Sequence, residues 1–334
     1  MMPLGCGTVP TDNLPGEILP AQSKPSLLLM GELPPHDTEA LERDFVVHRY
    51  WQASDKPAFL ESIAPDARAI ATRGDLGASA DVINALPKLE IISCFGVGVD
   101  AIDLNAAKAK KVHVTNTPDV LTEDVADLAF ALMLGIARQI PQADVFTRLG
   151  SWSKGSFQLL NRVNHKRLGI LGLGRIGLSI ARRAEGFNMD ISYCTRTPRP
   201  DVSYKHYAEP AELAAHSDYM IAILPGGAAT QNIINAEVLE ALGPKGFFIN
   251  VARGSVVDEE ALLQALEQRK IAGAALDVYW NEPNINPRFL ALNNVVLHPH
   301  GGSGTVETRR AMGQLVRDNL TAHFAGRPLL TPVT

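Results

Sequence analysis

An α/β architecture of two doubly wound parallel sheets follows from three features of the sequence. Short runs of branched apolar residues alternate with helix-like stretches along most of the chain. The alternation falls into two series, separated by one long apolar-striped segment. The chain has 334 residues, too many for one ordinary core, so two domains are expected.

Residues 1–25 carry prolines at positions 3, 10, 15, 20 and 25 and read as a poorly ordered arm. From Ser26 the runs SLLLM, FVVHRY, ARAIAT, LEIISCF and KVHVTN read as strands, with helices such as DTEALERD and SADVINALPK between them. This series closes near Asn116-Thr117-Pro118, because proline disfavours helix at the preceding residue. A long helix over Glu123 to Gln139 follows. The second series begins at Lys166, and its strands are LGILG, DISYCT, DYMIAIL, GFFINVA, AGAALDV and NVVLH. Six strands with short crossovers make a second complete unit. Thr305 to Phe324 reads as a closing helix that returns to the first unit. The expected division is one discontinuous domain over 26–117 and 304–334, with a second domain over 118–303 inserted in it.

Composition excludes several classes. The apolar fraction of 46%, the charged fraction of 20% and the net charge of -5 describe an ordinary soluble protein and give no electrostatic case for a nucleic-acid partner. Cys6, Cys94 and Cys194 form no CxxC pair, which points to a reducing, cytoplasmic setting. The apolar window Leu128 to Ala137 is bounded by Asp127 and Arg138 and is too short to span a bilayer. No basic segment precedes an apolar stretch at the start, so no signal peptide and no membrane partner are expected.

Gly172, Gly174 and Gly177 fit G-x-G-x-x-G between an apolar run and an amphipathic helix. The first glycine permits a tight turn, the second lets a pyrophosphate approach the backbone, and the third lets helix and strand pack closely. Leu173, Arg175 and Ile176 complete the loop, and the helix starting near Arg175 offers free N–H groups to phosphates. The unit is therefore Rossmann-like and binds a dinucleotide. The next strand ends in Thr195-Arg196-Thr197, where an acid would grip a ribose 2′-hydroxyl. Hydroxyls from Thr195 and Thr197, the fork of Arg196 and the charge of Arg199 suit a 2′-phosphate instead. NADP(H) is expected in preference to NAD(H). The alternative is a set of solvated loop cations.

Three later stretches sit at the carboxyl ends of strands, where such sheets hold ligands. They carry Arg253, then Asp277 and Glu282, then His298 and His300. An arginine can bind a carboxylate through two contacts. A histidine can donate a proton beside a nicotinamide, and a carboxylate can hold the imidazole and favour its charged form. Bland alternatives exist for each: Arg253 could pair with Asp258, Glu282 could be a loop residue before Pro283, and His300 could be structural. A metal on His298-x-His300 lacks a third ligand in sequence, so no metal is expected.

The stretches GILGLGRIG, INVARGSVVDEEAL, ALDVYWNEP and LHPHGGSGT, with ISCFGVGVDAIDL and VTNTPDVLTEDVADLAFALMLGIAR, resemble the D-isomer-specific 2-hydroxyacid dehydrogenase family. The likeness runs from about Ser26 to the C terminus. It implies that Arg253 binds substrate, that His300 is the acid–base and that Glu282 is its partner. It implies that Asp277 faces the nicotinamide, and that Thr122, Leu224, Pro225, Val251, Ala252 and Gly302 border the cofactor. It implies that backbone N–H groups of Val97 and Gly98, with Arg73, line the substrate cleft. It also implies a homodimer through the cofactor domain, with Leu128 to Trp152 at the interface. Two departures stand out: Gly226-Gly227, where relatives often carry a bulkier residue and a threonine, and His298, where a threonine is frequent. SYCTRTPRP resembles the NADPH-using glyoxylate/hydroxypyruvate and plant hydroxyphenylpyruvate reductases. The expected activity is NADPH-dependent reduction of small 2-oxo acids to D-2-hydroxy acids. The alternatives are the same chemistry on hydroxyphenylpyruvate or 2-oxogluconate, and a dinucleotide-sensing corepressor-like protein.

Overall fold

The structure is a computed structural model that describes residues 24–334; the expected arm over 1–25 lies almost wholly outside them, as does Cys6. The first series forms β1 (Ser26–Leu29), α1 (Pro35–Asp44), β2 (Val46–Arg49), α2 (Lys56–Ile63), β3 (Ala67–Arg73), α3 (Ala80–Ala85), β4 (Ile91–Phe95), α4 (Leu104–Ala109) and β5 (His113–Thr115). Its strands pair in parallel in the order β2-β1-β3-β4-β5. Residues of β1 and β4 are buried throughout, the pattern of a parallel sheet covered on both faces. Helix starts follow the sequence. Asp55, Ser79 and Asp103 accept the N–H groups of Ala58, Val82 and Ala106, satisfying donors that a first turn leaves free.

The linking helix is shorter than expected. It becomes α5 (Thr122–Ala137) followed by α6 (Ile140–Arg148). Gln139 takes a φ of 45° between them, and Pro141 cannot continue a helix but suits the first turn of a new one.

The second series forms β6 (Arg167–Leu171), α7 (Arg175–Gly186), β7 (Asp190–Cys194), β8 (Lys205–Tyr207), α8 (Pro210–Ala215), β9 (Tyr219–Ala222), α9 (Ala236–Leu242), β10 (Phe247–Asn250), α10 (Glu259–Glu267), β11 (Gly273–Leu276) and β12 (Val295–Leu297). The sheet has seven strands, not six, in the parallel order β12-β11-β10-β9-β6-β7-β8. The added edge strand β8 is three residues of mixed polarity, KHY, and carries no apolar alternation that would reveal it.

The closing helix α11 (Val306–Phe324) is capped by Thr305, which accepts from the Thr308 N–H. It lies on the first sheet, with Ser93 Oγ donating to Val316 O at 3.4 Å. Fully buried Asn319 then ties down the tail, accepting from the N–H groups of Leu330 and Thr331. Beyond it Pro332 bridges Thr115 of β5. No described helix is long and apolar enough to cross a membrane.

Candidate active site

The glycine loop lies where the strand order reverses, between β6 and β9, the place where open α/β sheets hold ligands. Each glycine is needed for a different reason. Gly172 has a φ of 101°, and a Cβ on it would lie 2.4 Å from Ile223 O. A Cβ on Gly174 would meet nothing within 4 Å, so glycine there keeps open the space a pyrophosphate would fill. A Cβ on Gly177 would lie 2.2 Å from Gly172 O, which fixes how closely α7 approaches β6. Helix α7 opens without a side-chain cap, leaving its first N–H groups for an anion. The loop therefore fits a dinucleotide. Leu173 is buried and Ile176 packs against the core. Arg175 pairs with Asp119 at 3.0 Å, both largely exposed, a weak contact that a phosphate could displace.

At the end of β7, Thr195 Oγ1 donates to Thr197 O at 2.8 Å. Arg196 is exposed and makes no ion pair among the described residues. Arg199 differs from the expectation of a free cation. It pairs twice with Asp201 and its Nη1 donates to Leu173 O at 2.8 Å. Its charge is already matched, which leaves Arg196 as the available guanidinium.

Arg253 follows β10 directly. Its Nε lies 3.3 Å from Asp100 Oδ2, and its Nη1 donates to Ala252 O at 2.7 Å. Asp258, its possible partner in the sequence, instead caps α10 by accepting from Ala261 N–H. The guanidinium lies against the loop after β4, since a Cβ on Gly98 would fall 1.8 Å from Arg253 Nη2. Gly226 has a comparable cause: a Cβ there would lie 2.9 Å from Asp100 Oδ2 and 3.0 Å from Arg253 Cγ. The N–H groups of Val97 and Gly98 donate to no described backbone or side-chain acceptor, while Val97 O accepts from Asn116 Nδ2.

On the adjoining loop after β3, where a Cβ on Gly74 would lie 3.1 Å from Gly98 O, Arg73 donates to Asp75 and to Glu32 O. Burial pushes the Asp75 carboxyl up, but Arg73 outweighs it and holds the group below the usual range, with His300 acting in the same direction. His300 follows β12. Its Nδ1 lies 2.5 Å from Glu282 Oε2, and Glu282 Oε1 accepts from Tyr279 N–H at 2.8 Å. His300 has a φ of 46°, a conformation costing of order 1–3 kcal/mol that concentrates at functional sites. Its N–H is anchored on Asp277 O at 2.8 Å.

The second histidine has its own carboxylate. His298 Nδ1 lies 2.6 Å from Asp277 Oδ1. Asp277 is 2% exposed and also accepts from the N–H groups of Gly301 and Gly302. The resemblance pairs His300 with Glu282; the structure forms that pair and a second one, His298 with Asp277, that the sequence did not single out. Among the described residues no group of three His, Cys, Asp or Glu side chains is placed to hold a metal.

The remaining expected residues surround these. Thr122 opens α5, Leu224 and Pro225 follow β9, and Val251 and Ala252 are buried, so only their backbone can face a ligand. Three residues were missed. Asp100 and Asp75 lacked any spacing signal. Arg309, on the first turn of α11, is half-buried over the Phe95 ring at 5.5 Å, and burial lowers its pKa. It follows the Thr305 cap by four residues, a spacing that places it near the helix start.

Residues 130–302 match the model of the D-isomer specific 2-hydroxyacid dehydrogenase NAD-binding domain. Hydroxyphenylpyruvate reductase from Plectranthus scutellarioides is 48% identical over 92% of this chain and 98% of its own length. Glyoxylate/hydroxypyruvate reductase A from Arabidopsis thaliana is 47% identical over 92% of this chain and 98% of its own. The crystal structure of the NADPH-dependent glyoxylate/hydroxypyruvate reductase from Sinorhizobium meliloti, in complex with NADP and malonate, is 43% identical. It superposes with a TM-score of 0.86 over 93% of this chain and 97% of that one. A Rossmann-like loop after β6, an arginine past β10 and a histidine–glutamate pair past β11 and β12 thus come with whole-length relatives: the chain is an oxidoreductase belonging to the D-isomer-specific 2-hydroxyacid dehydrogenase family.

Proposed function

We propose that the chain reduces small 2-oxo acids, glyoxylate and hydroxypyruvate foremost, to D-2-hydroxy acids with NADPH. The observation that carries this is the placing of Arg253, against the Gly98 loop, and of the His300–Glu282 pair just past the carboxyl ends of strands of the second sheet. Residues 26–117 with 304–334 form the substrate domain, and 118–303 form the NADP-binding domain. This division is supported by the separate sheets and by α11 lying on the first.

When bound, the nicotinamide cofactor supplies the hydride. The chain does the rest. Arg253 grips the substrate carboxylate and polarises the adjacent carbonyl. The free N–H groups of Val97 and Gly98 hold the other face of the carboxylate. Asp100, which pairs with Arg253 at 3.3 Å, holds the guanidinium until a substrate carboxylate takes its place. His300 hands a proton from Nε2 to the carbonyl oxygen, and Glu282 keeps Nδ1 fixed. One oxo acid, one hydride and one proton give one hydroxy acid.

The absence of an acid after β7 and the free Arg196 favour a 2′-phosphate. A charge-assisted contact of this sort is worth about 1.5–3 kcal/mol. Arg196→Ala should therefore raise the KM for NADPH by roughly ten- to a hundredfold and leave that for NADH within about twofold. Equal losses for both cofactors would remove the phosphate assignment. Comparing kcat/KM for glyoxylate, hydroxypyruvate, 4-hydroxyphenylpyruvate and 2-oxogluconate in the same assay ranks the substrates. No turnover with any of them would favour a dinucleotide sensor.

A homodimer is supported by the apolar side chains that α6 and its continuation leave exposed, among them Ile140, Val145, Leu149 and Trp152.

A further inference from the structure

The N–H groups of Val97 and Gly98 belong to consecutive peptide units, and each unit is gripped by its carbonyl. In a planar trans peptide the N–H points opposite to the carbonyl of the preceding residue. The only cis bond among the described residues is Glu282–Pro283. Fixing Gly96 O therefore aims the Val97 N–H, and fixing Val97 O aims the Gly98 N–H. Both carbonyls are taken up by the segment after β5. Thr117 N–H donates to Gly96 O at 2.9 Å, and Asn116 Nδ2 donates to Val97 O at 2.8 Å. Thr117 is fully buried, and its Oγ1 also accepts from Gly96 N–H at 3.0 Å. The two donors point away from these residues and meet no described acceptor, while Gly98 lies against the Arg253 guanidinium.

Asn116 is itself held, by a residue 215 positions further along the chain. Thr331 Oγ1 donates to Asn116 O at 2.6 Å, and Asn116 N–H donates to Thr331 O at 3.4 Å. Val333 N–H donates to Val114 O at 2.7 Å, so this tail runs beside β5. Thr331 in turn is fixed on α11. Asn319 Nδ2 donates to Thr331 Oγ1 at 2.8 Å, and Asn319 Oδ1 accepts from Thr331 N–H at 3.1 Å. One hydroxyl thus accepts from α11 and donates to the residue that supports the loop. The hydrogen bonds run without a gap from Asn319 through Thr331 and Asn116 to Val97.

We infer that Asn116 is a positioning residue for substrate: its amide turns the Val97–Gly98 peptide so that the Gly98 N–H is aimed at a carboxylate held by Arg253, and Thr331 keeps Asn116 in place to do so. This inference rests on the proposed reading of Val97, Gly98 and Arg253 as the carboxylate site. A donor fixed in direction before binding spares the ordering that a free one would cost at each encounter. The hold on Gly96 O comes from backbone, so Asn116 supplies the one side chain that sets the aim of a donor here. The sequence singles out Asn116-Thr117-Pro118 only as the place where the first series closes.

The test separates substrate binding from cofactor binding. Steady-state kinetics with glyoxylate and hydroxypyruvate, and NADPH dissociation constants by fluorescence titration, are measured for the wild type, Asn116→Ala, Thr331→Val and Thr331→Ser. Asn116→Ala should raise the KM for both oxo acids by roughly three- to tenfold, the size of one hydrogen bond, with kcat and the NADPH constant within about twofold. Thr331→Val should raise the same KM by a smaller factor, and Thr331→Ser, which keeps the hydroxyl, should hold it near wild type. The valine variant carries the test without touching Asn116 itself. A KM within about twofold of wild type in both Asn116→Ala and Thr331→Val would overturn the inference and leave the proposed reaction standing. So would parallel losses in KM, kcat and NADPH binding, which mark a general loss of structure. A wild type that turns over neither oxo acid would overturn the proposed reaction and this inference with it.

Discussion

Glu282 touches His300 and Tyr279 N–H but no reacting atom, so its effect must pass through the imidazole. Glu282→Gln should lower reductive kcat by about 10²–10³-fold with a much smaller change in KM. Glu282→Asp should restore part of the rate. A kcat in the glutamine variant within about twofold of wild type would leave Glu282 a merely structural residue. At this scale the sequence was informative wherever a motif fixes chemistry. The three glycines stand out by their spacing, and Arg253 and His300 by their place just past predicted strand ends. Asp100 and Arg309 are not. Asp100 meets Arg253 only because the two sheets face each other, and Arg309 turns inward only because α11 lies against β4. Neither relation has a local trace. Arg199 shows the converse: a cation in the expected stretch whose charge is consumed by Asp201, two residues on.

Between elements, the contact of α1 with α11 turns on one carboxylate. Asp37 is buried, its Oδ2 has no hydrogen-bond partner among the described residues, and a Cβ on Gly313 would lie 2.0 Å from its Oδ1. Burial pushes its pKa up, against the pull of His36 and Arg317. The sign follows directly. A carboxyl whose folded value is raised favours the fold below its unfolded value and loses that advantage as pH rises through the folded one. Asp37→Asn should therefore be more stable than wild type near neutral pH, by a margin that shrinks as pH falls toward the ordinary carboxylate value. Urea unfolding at a series of pH values checks this, and a margin that grows on acidification would contradict it. Nothing in the pattern warns of this residue, since Asp37 lies in the first turn of a helix, where acids are ordinary. Strand β8 and the break after α5 were missed for related reasons. A three-residue polar edge strand has no periodicity, and the Gln139 turn depends on a backbone conformation rather than on composition.

Across the whole molecule, the alternation of strands and helices was enough to set out two parallel sheets, and α11 lies on the first of them. What the alternation could not show is how the sheets face each other, and the cleft exists only by virtue of that. The exposed row Ile140, Val145, Leu149 and Trp152, with Leu149 at 73% and Trp152 at 70% exposure, should be covered in solution. The wild type should elute as a dimer by light scattering, and Leu149→Asp should shift it toward monomer. A monomeric wild type would remove the proposed interface.

The most direct measurement is the oxidation of NADPH with hydroxypyruvate, with the configuration of the product determined, in wild type and His300→Asn. The account predicts a D-hydroxy acid from the wild type. It predicts a fall in kcat of about 10²–10⁴-fold in the variant with NADPH affinity retained. An L product, or a variant that turns over at the wild-type rate, would contradict it.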